Sequence, residues 1–355
     1  MYPYLGLYLI IYLFGGLYNL KKKRQAQGVA LLLILCFALA LTAGLRHSDW
    51  PDTKVYIDVF KTQLTPLMTS KSENQPTAYS EPLFIELSRL IKTFSSSSII
   101  YLTTLSLLTM GILYKVLKNG CVYPIIGLCV YISRFYISRN LMQIRAALAL
   151  VFVLYAIKYV YDRNFRSFIF VIIMATLCHF SAIIALPLYW MNRKLFKTKH
   201  IIIIIAACLI IIGVSSMYIS QVIAQINAIL GFNNTYVGGD ENYSSGLGLL
   251  NPMIYYQILL LILLSAKYQS LSKNKYYYIL LNGYLYSTTI FILFSPFLVL
   301  SGRLSTVLAS LEVFIIPALI SSNNSQRTKY ISYTSWGIVL IAIFYMNLNK
   351  VQIYL

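Results

Sequence analysis

Charged residues are scarce in this chain of 355 residues, of which 11% are Asp, Glu, Lys or Arg. A soluble domain carries about 25%, so the deficit excludes an ordinary soluble globule and a disordered chain. Acidic residues are especially few, with 10 Asp and Glu against 29 Lys and Arg. In a soluble protein, such an excess of basic residues would suggest nucleic-acid binding. Here the basic residues lie mostly in short segments between apolar runs, which is typical of membrane-orientation signals and argues against nucleic-acid binding.

Paired cysteines and common catalytic motifs are also missing. The five cysteines each lie in or beside an apolar run, and none forms a CxxC pair: Cys36, Cys121, Cys129, Cys178 and Cys208. This pattern predicts small buried residues, without a disulfide framework or a metal site. The sequence contains no P-loop, GxSxG or HExxH motif. We therefore expect neither a metal nor another cofactor.

Long apolar runs dominate what is present, with 59% hydrophobic residues and a mean hydropathy of +0.71. Runs of spanning length occur at about 2–19, 27–45, 97–114, 121–137, 144–161, 201–220, 252–266, 276–296, 304–321 and 331–348. Because lipid offers no partner to an open backbone, these runs predict helices. The sequence thus predicts an all-α polytopic membrane protein with about ten full transmembrane helices, forming a single integral membrane domain over residues 1–355.

One further run, 167–191, permits two interpretations: a single span, or a hairpin of two half-length helices folded back at His179. If 167–191 is a hairpin, most Lys and Arg residues lie on the same side of the membrane as the Lys21–Arg24 segment. If it is a single span, most of them lie on the opposite side. The positive-inside rule therefore favours the hairpin. Two loops, about 46–96 and 221–251, then face the periplasm. The first contains an amphipathic stretch after Pro82 that predicts a short helix on the membrane surface; the second is either a mobile lid or a passive connection.

Ionisable groups at membrane depth are costly unless they face protein or water, so they carry functional information. The first cluster follows the second span and contains Arg46, Asp49, Asp52 and, one turn later, Tyr56. The two carboxylates beside Arg46 could activate or orient a hydroxyl group. The alternative is a helix N-terminus, with one acid as a cap.

The second cluster, around the start of the fifth span, contains Arg134, Arg139, Asn140, Gln143 and Arg145. Arginine presents a permanent, forked positive charge that suits phosphate oxygens, so these residues predict a pyrophosphate clamp. On one continuous helix Arg139 and Arg145 point about 120° apart. They share a cleft only if the helix begins between them or their long side chains converge. The alternative role is contact with lipid head groups.

Two single residues complete the candidates. His179, at the tip of the hairpin, is a candidate base or phosphate ligand, although a lone histidine is more often a packing residue. Arg303 follows Pro296 and Gly302, which permit a helix break where an arginine could meet an anionic head group. Glu312 is the one acid inside a late span, and it would either pair with an arginine or respond to an ion or proton.

Several stretches resemble the EpsG-like and Wzy-type polysaccharide polymerases of bacterial envelopes. These are Gly44–Tyr56 followed by Glu81–Phe84, Arg139–Ala149 and Ala175–Ala182, with a weaker match at Arg303. Ala146 stands where the family often has Gln. The resemblance implies a C-type glycosyltransferase-like fold in the bacterial inner membrane, with its active site facing the periplasm. It also implies a polymerase that joins undecaprenyl-pyrophosphate-linked oligosaccharides without a nucleotide sugar or an obligatory metal, with membrane lipids and a chain-length regulator as partners.

The resemblance and these residues together predict a polymerase of O-antigen or a similar surface polysaccharide. Arg145, Arg139 and Arg303 would stabilise the departing pyrophosphate, with Arg46, Tyr56, Asn140 and Gln143 also in contact with substrate. Asp49, Asp52 or His179 would accept the proton of the attacking hydroxyl. The alternatives are a transporter or flippase of a lipid-linked or anionic sugar, and an O-antigen ligase.

Overall fold

The computed structural model describes residues 2–22, 26–69, 81–230 and 248–352. All regular secondary structure in these ranges is helical, and they contain no strand. The prediction of an all-α protein is confirmed. The Asn- and Gly-rich centre of the second predicted loop, 231–247, lies outside the described residues, as do Lys23 and Arg24 of the first basic segment and residues 70–80 of the first loop.

The α-helices, in chain order, are α1 (Tyr2–Ile10), α2 (Leu17–Lys22), α3 (Ala26–Gly44), α4 (Thr53–Asp58), α5 (Pro82–Phe94), α6 (Ser98–Gly120), α7 (Pro124–Tyr131), α8 (Ile144–Tyr161), α9 (Phe165–Cys178), α10 (Thr198–Leu230), α11 (Pro252–Ala266), α12 (Tyr268–Leu271), α13 (Tyr277–Leu293), α14 (Leu298–Ala309), α15 (Glu312–Ser321) and α16 (Gln326–Gln352). π-helical segments follow α1, α4 and α7 at Ile11–Gly16, Val59–Gln63 and Ile132–Met142, and 3₁₀ segments occupy Phe180–Met191 and Gly248–Leu250.

Four of the described helices are long and apolar enough to cross a membrane: Gln27–Gly44, Ser98–Gly120, Ile144–Tyr161 and Gln326–Val351. A fifth span results if Leu300–Ala309 and Glu312–Ser321 form one. Large apolar side chains on these helices face outward, as Ile34 and Ile338 do with 63% and 67% exposure. Such outward apolar faces are what lipid contact requires. The architecture is that of an all-helical polytopic membrane protein, and the count of ten full spans stays a prediction.

The segment 165–191 breaks where the hairpin interpretation places its tip. Helix α9 ends at Cys178, His179 is extended (φ −161°, ψ 119°), and the 3₁₀ segment begins at Phe180. Just before α9, the Arg163 guanidinium donates to the carbonyl of Asn192 at 2.7 Å. The Tyr189 hydroxyl donates back to the Arg163 carbonyl at 2.9 Å. The two ends of the segment therefore meet, as a hairpin requires.

The chain divides into two compact units. Unit 1 consists of Met1–Tyr159, Asn164–Ile183 and Glu312–Leu355, and unit 2 of Val160–Arg163 and Ile184–Leu311. The predicted single integral membrane domain stays a prediction. The amphipathic stretch after Glu81 forms a helix as predicted, namely α5, with Pro82 in its first turn.

Helices α3 and α6 pack closely in unit 1, and a glycine makes their approach possible. A Cβ atom added at Gly44 would lie 2.5 Å from the Cα atom of Thr103 on α6. Backbone cannot retreat as a flexible side chain can, so any larger residue there must push the helices apart.

We expect Gly44→Ala to lower the thermal stability of the purified protein, since overpacking a tight contact costs about 1–3 kcal/mol. Gly111→Ala on α6 is the matched control, because nothing lies within 4 Å of a Cβ atom there. It should leave the melting temperature unchanged or raise it slightly. Equal melting temperatures for the two variants would contradict the packing argument.

A buried ion pair joins the π-helical segment Ile132–Met142 to α15. Arg134 donates from Nε to Oε2 of Glu312 at 2.7 Å and from Nη2 to Oε1 at 3.1 Å. The Glu312 side chain is fully buried. Of the two roles considered for Glu312, pairing with an arginine is the one observed, and the partner is bound through both carboxylate oxygens.

Glu312→Gln should destabilise the protein by about 3–5 kcal/mol, because it leaves a buried guanidinium without a counter-charge. The double variant Arg134→Met/Glu312→Leu removes both charges and should recover most of that loss. Thermal unfolding in detergent measures both, and a double variant no more stable than Glu312→Gln would argue against a simple ion pair.

Candidate functional site

The candidate site lies in unit 1 and begins with the attachment of α5. Two cations on this helix donate to backbone carbonyls that follow α4. Lys92 Nζ lies 2.6–2.9 Å from the carbonyl oxygens of Phe60, Lys61 and Leu64. Arg89 donates to those of Thr65, Pro66 and Thr69. These bonds satisfy carbonyls at the end of a helical segment and attach the C-terminal half of α5 to it.

Glu81, the residue before α5, lies at the centre of the site. Its Oε2 forms a salt bridge with Nη1 of Arg145, in the first turn of α8. Its Oε1 lies 3.0 Å from Nδ1 of His179, at the break after α9. All three side chains are at most 21% exposed. One carboxylate therefore joins residues that lie far apart in the sequence.

Tyr56 of α4 lies in contact with Arg145. Arg145 Nε donates to the Tyr56 hydroxyl at 3.4 Å, and the guanidinium carbon lies 5.8 Å from the ring centroid. Burial raises the pKa of Tyr56, although the charge of Arg145 opposes this. The phenol therefore stays protonated at neutral pH.

Arg46 is buried next to this group, at 7% exposure. Its Nε donates to the Thr53 hydroxyl at 2.9 Å, and its Nη1 donates to the Ala43 carbonyl. Its Nη2 is buried and has no hydrogen-bond partner among the described residues. Burial lowers the pKa of Arg46 to about 10, against the opposing effect of Tyr56. Arg46 is therefore still a cation at neutral pH, with a donor that an anion could use.

Arg139 and Arg145 satisfy the geometric condition for sharing a cleft. The π-helical segment ends at Met142, Gln143 is non-helical (φ −106°, ψ 71°), and α8 begins at Ile144. The helix thus begins between the two arginines, and both lie within electrostatic range of His179. Arg139 donates from Nη1 to the Gln143 side chain.

Asn140 is buried within the same segment, and its amide is engaged by protein groups. The Tyr131 hydroxyl donates to its Oδ1 at 2.6 Å, and its Nδ2 lies 3.5 Å from the Met110 sulfur. These contacts hold the π-helical segment that carries Arg139. The predicted role of Asn140 in substrate binding stays a prediction.

The remaining candidates are Asp49, Asp52 and Arg303. Asp49 contacts His47 at 2.7 Å in an exposed turn. Asp52 is exposed at the start of α4 with a left-handed backbone (φ 60°), and its charge acts on Tyr56. Arg303 lies on α14 in unit 2. The structure therefore brings His179 into the arginine cluster, whereas Asp49 is engaged with a neighbour.

Glu81 received no role from the sequence, although two signals indicated it. It is one of only 10 acidic residues, and it stands directly before the proline of the predicted amphipathic helix, inside a stretch that carries the family resemblance. An acid beside a helix start is commonly a cap, yet Glu81 forms no side-chain cap here.

The electrostatics of Glu81 define its chemistry. Burial alone raises the pKa of its carboxyl, but the hydrogen bond with His179 and the charge of Arg145 more than offset this, and the pKa falls to about 2. The carboxylate is therefore ionised at any physiological pH. Since an ionised carboxylate only accepts, neutral His179 must donate from Nδ1, which leaves Nε2 unprotonated. Within the described residues, no group of three or more His, Cys, Asp or Glu is arranged to hold a metal ion.

Comparison with known proteins agrees with this arrangement of motifs. The amylovoran biosynthesis protein AmsC of Erwinia amylovora is 22% identical over 356 residues, which covers 97% of this chain and 92% of that protein. No solved structure shows a significant match. The sequence model of the EpsG family matches residues 29–354. The chain belongs to the EpsG family.

Proposed function

We propose that this protein acts in polysaccharide biosynthesis as a repeat-unit polymerase, joining undecaprenyl-pyrophosphate-linked oligosaccharides at the periplasmic face of the bacterial inner membrane. Membership of the EpsG family supports the general role, as does the similarity to a protein named for amylovoran biosynthesis. The observation that carries the proposal is the Glu81 carboxylate bound by Arg145 and His179, with Tyr56 and further arginines around it.

The proposed reaction transfers the growing chain from its lipid carrier to a new repeat unit. A hydroxyl of the lipid-linked acceptor forms a bond to the anomeric carbon of the donor sugar. The bond from that carbon to the diphosphate oxygen breaks, and the polyprenyl diphosphate leaves with the electron pair. The site must therefore accept one proton and stabilise one additional negative charge.

His179 is the proton acceptor in this proposal. The contact between its Nδ1 and Glu81 orients the ring and directs Nε2 away from the carboxylate. A carboxylate held in this way also stabilises the imidazolium that forms when Nε2 takes the proton. Glu81 itself is a weak base, since its pKa is about 2. Asp49 and Asp52 have a smaller role in this proposal, because both are exposed.

The arginines supply the positive charge. Arg46, Arg139 and Arg145 are largely buried in unit 1 and lie close to Tyr56 or His179, where a low dielectric strengthens their attraction to phosphate oxygens. Arg303 is included as a further diphosphate contact on the sequence argument alone. The ten-span topology, the C-type glycosyltransferase-like fold and a chain-length regulator as partner also belong to the proposal.

Elongation with purified protein tests the proposal. The substrates are lipid-linked repeats extracted from the native host after deletion of this gene, without nucleotide sugar. We expect a ladder of lipid-linked oligomers, and their absence with folded protein would refute the proposal. Deletion in the host separates the alternatives. Loss of a polymerase leaves single-repeat product, loss of a ligase leaves none, and loss of a flippase leaves lipid-linked repeats on the cytoplasmic face.

A further inference from the structure

A cavity of about 140 Å³ lies within unit 2, and none of the residues assigned to glycosyl transfer lines it. Its volume is about ten times the ~10–15 Å³ that one water needs, so a polar group of several atoms fits. Three apolar helices end at this cavity. Helix α10 begins at Thr198, α11 ends at Ala266, and α13 begins at Tyr277.

Cations and hydroxyl groups contribute to the lining of the cavity. Lys194 Nζ lies 3.5 Å from the Tyr268 hydroxyl and 4.7 Å from the centroid of its ring, so the ammonium group is held at the cavity. Lys197 also lines the cavity. The Ser265 hydroxyl donates to Thr198 Oγ1 at 3.0 Å, which leaves the Thr198 proton for another acceptor.

No acidic residue lines the cavity. Asp162 is the one acid among the described positions of unit 2. The charge of the lining lysines is therefore complementary to an anion. Ammonium and hydroxyl donors converging on one space are the groups that bind phosphate oxygens.

The lining also includes three apolar side chains, those of Phe196, Ile201 and Leu281. The cavity lies where apolar helices end and where tyrosines cluster, as Tyr268, Tyr277 and Tyr278 do. Both features mark the boundary between lipid and water. We propose that this cavity binds the phosphate group of an anionic phospholipid, with the head group at Lys194, Lys197 and Thr198 and the acyl chains against the apolar lining residues. The proposal does not depend on the polymerase function.

Titration calorimetry of the full chain in an uncharged detergent tests the inference, with dihexanoyl phosphatidylglycerol, dihexanoyl phosphatidylcholine and inorganic phosphate as probes. Lys194→Gln/Lys197→Gln should weaken phosphatidylglycerol binding about 30-fold, at about five-fold per lysine. Thr198→Val keeps the net charge and should weaken binding about five-fold. Lys273→Gln/Lys329→Gln removes two charges outside the cavity and should change the affinity less than about two-fold.

Phosphatidylglycerol binding that depends on Lys194, Lys197 and Thr198 supports the proposal. Phosphate that binds as tightly as phosphatidylglycerol would overturn the lipid assignment and identify a free phosphate site. The absence of binding by either anion would overturn the site itself. An equal loss of affinity in the Lys273→Gln/Lys329→Gln control would mean that binding depends only on the net charge of the protein, and it would overturn the proposal. Tight binding of phosphatidylcholine would mean that binding does not require an anionic lipid, and it would overturn the proposal too.

Discussion

Arg145→Ala is expected to lower the rate of elongation by about 10²–10³-fold, which is the usual cost of losing one preorganised charge that stabilises a leaving anion. The loss has a second source, because Arg145 also holds Glu81 and Tyr56. Arg145→Lys keeps the charge but loses the forked geometry, so it should recover only part of the activity. The measurement is the rate at which purified protein extends lipid-linked repeats.

Arg166→Ala is the control for this variant, since Arg166 is an exposed arginine on α9 in the same unit. It should elongate at the normal rate. A full-length ladder from Arg145→Ala at normal protein levels would remove Arg145 from the site. The same ladder assay applies to Arg46→Ala, where a buried donor that has no partner in the described part of the chain predicts a large loss as well.

The second large effect is expected at His179. His179→Ala should lower the rate by about 10²–10⁴-fold, the range for removing a general base. Glu81→Gln should approach the same loss, because an amide no longer fixes the Nδ1-protonated tautomer. If Glu81 acts through His179, the double variant should be little slower than His179→Ala alone. If the rate losses of the two single variants instead multiply in the double variant, the two residues act independently.

The controls for this pair are His200→Ala and Glu86→Gln, which alter an exposed histidine and a partly exposed acid on α5. Both should behave as wild type. The pH profile adds an independent readout. Since the Glu81 pKa is about 2, its carboxylate does not titrate between pH 5 and pH 9, so an acidic limb in this range should persist in Glu81→Gln.

The sequence predicted which residues belong to the candidate site better than it predicted which of them contact one another. Residue types and spacing brought out Arg145 and His179 because buried ionisable groups are rare in apolar runs. Whether Arg139 and Arg145 share a cleft depended on a helix break, and that break follows from an 11-residue π-helical segment. Periodicity analysis assumes α-helical spacing, so it does not detect such a segment.

Glu81 shows a different limit. Its partners lie 64 and 98 residues away in the sequence, and only the packing of α5 brings them together. Asp49 was favoured because it is close to Arg46 in sequence, but in the folded chain a nearer neighbour, His47, takes its carboxylate. Local sequence identifies which groups are chemically capable, whereas tertiary packing decides which of them meet.

The hairpin of 165–191 has arms of different winding. The first arm has 14 α-helical residues and extends about 21 Å, whereas the second has 12 residues in a 3₁₀ helix and extends about 24 Å. An α-helical second arm of the same length would extend only about 18 Å. The greater rise per residue of the 3₁₀ helix therefore offsets the smaller number of residues in the second arm. A single-residue deletion in either arm would therefore shift the imidazole by about 1.5–2 Å, which exceeds the misplacement of about 1 Å that can already lower a rate about 100-fold.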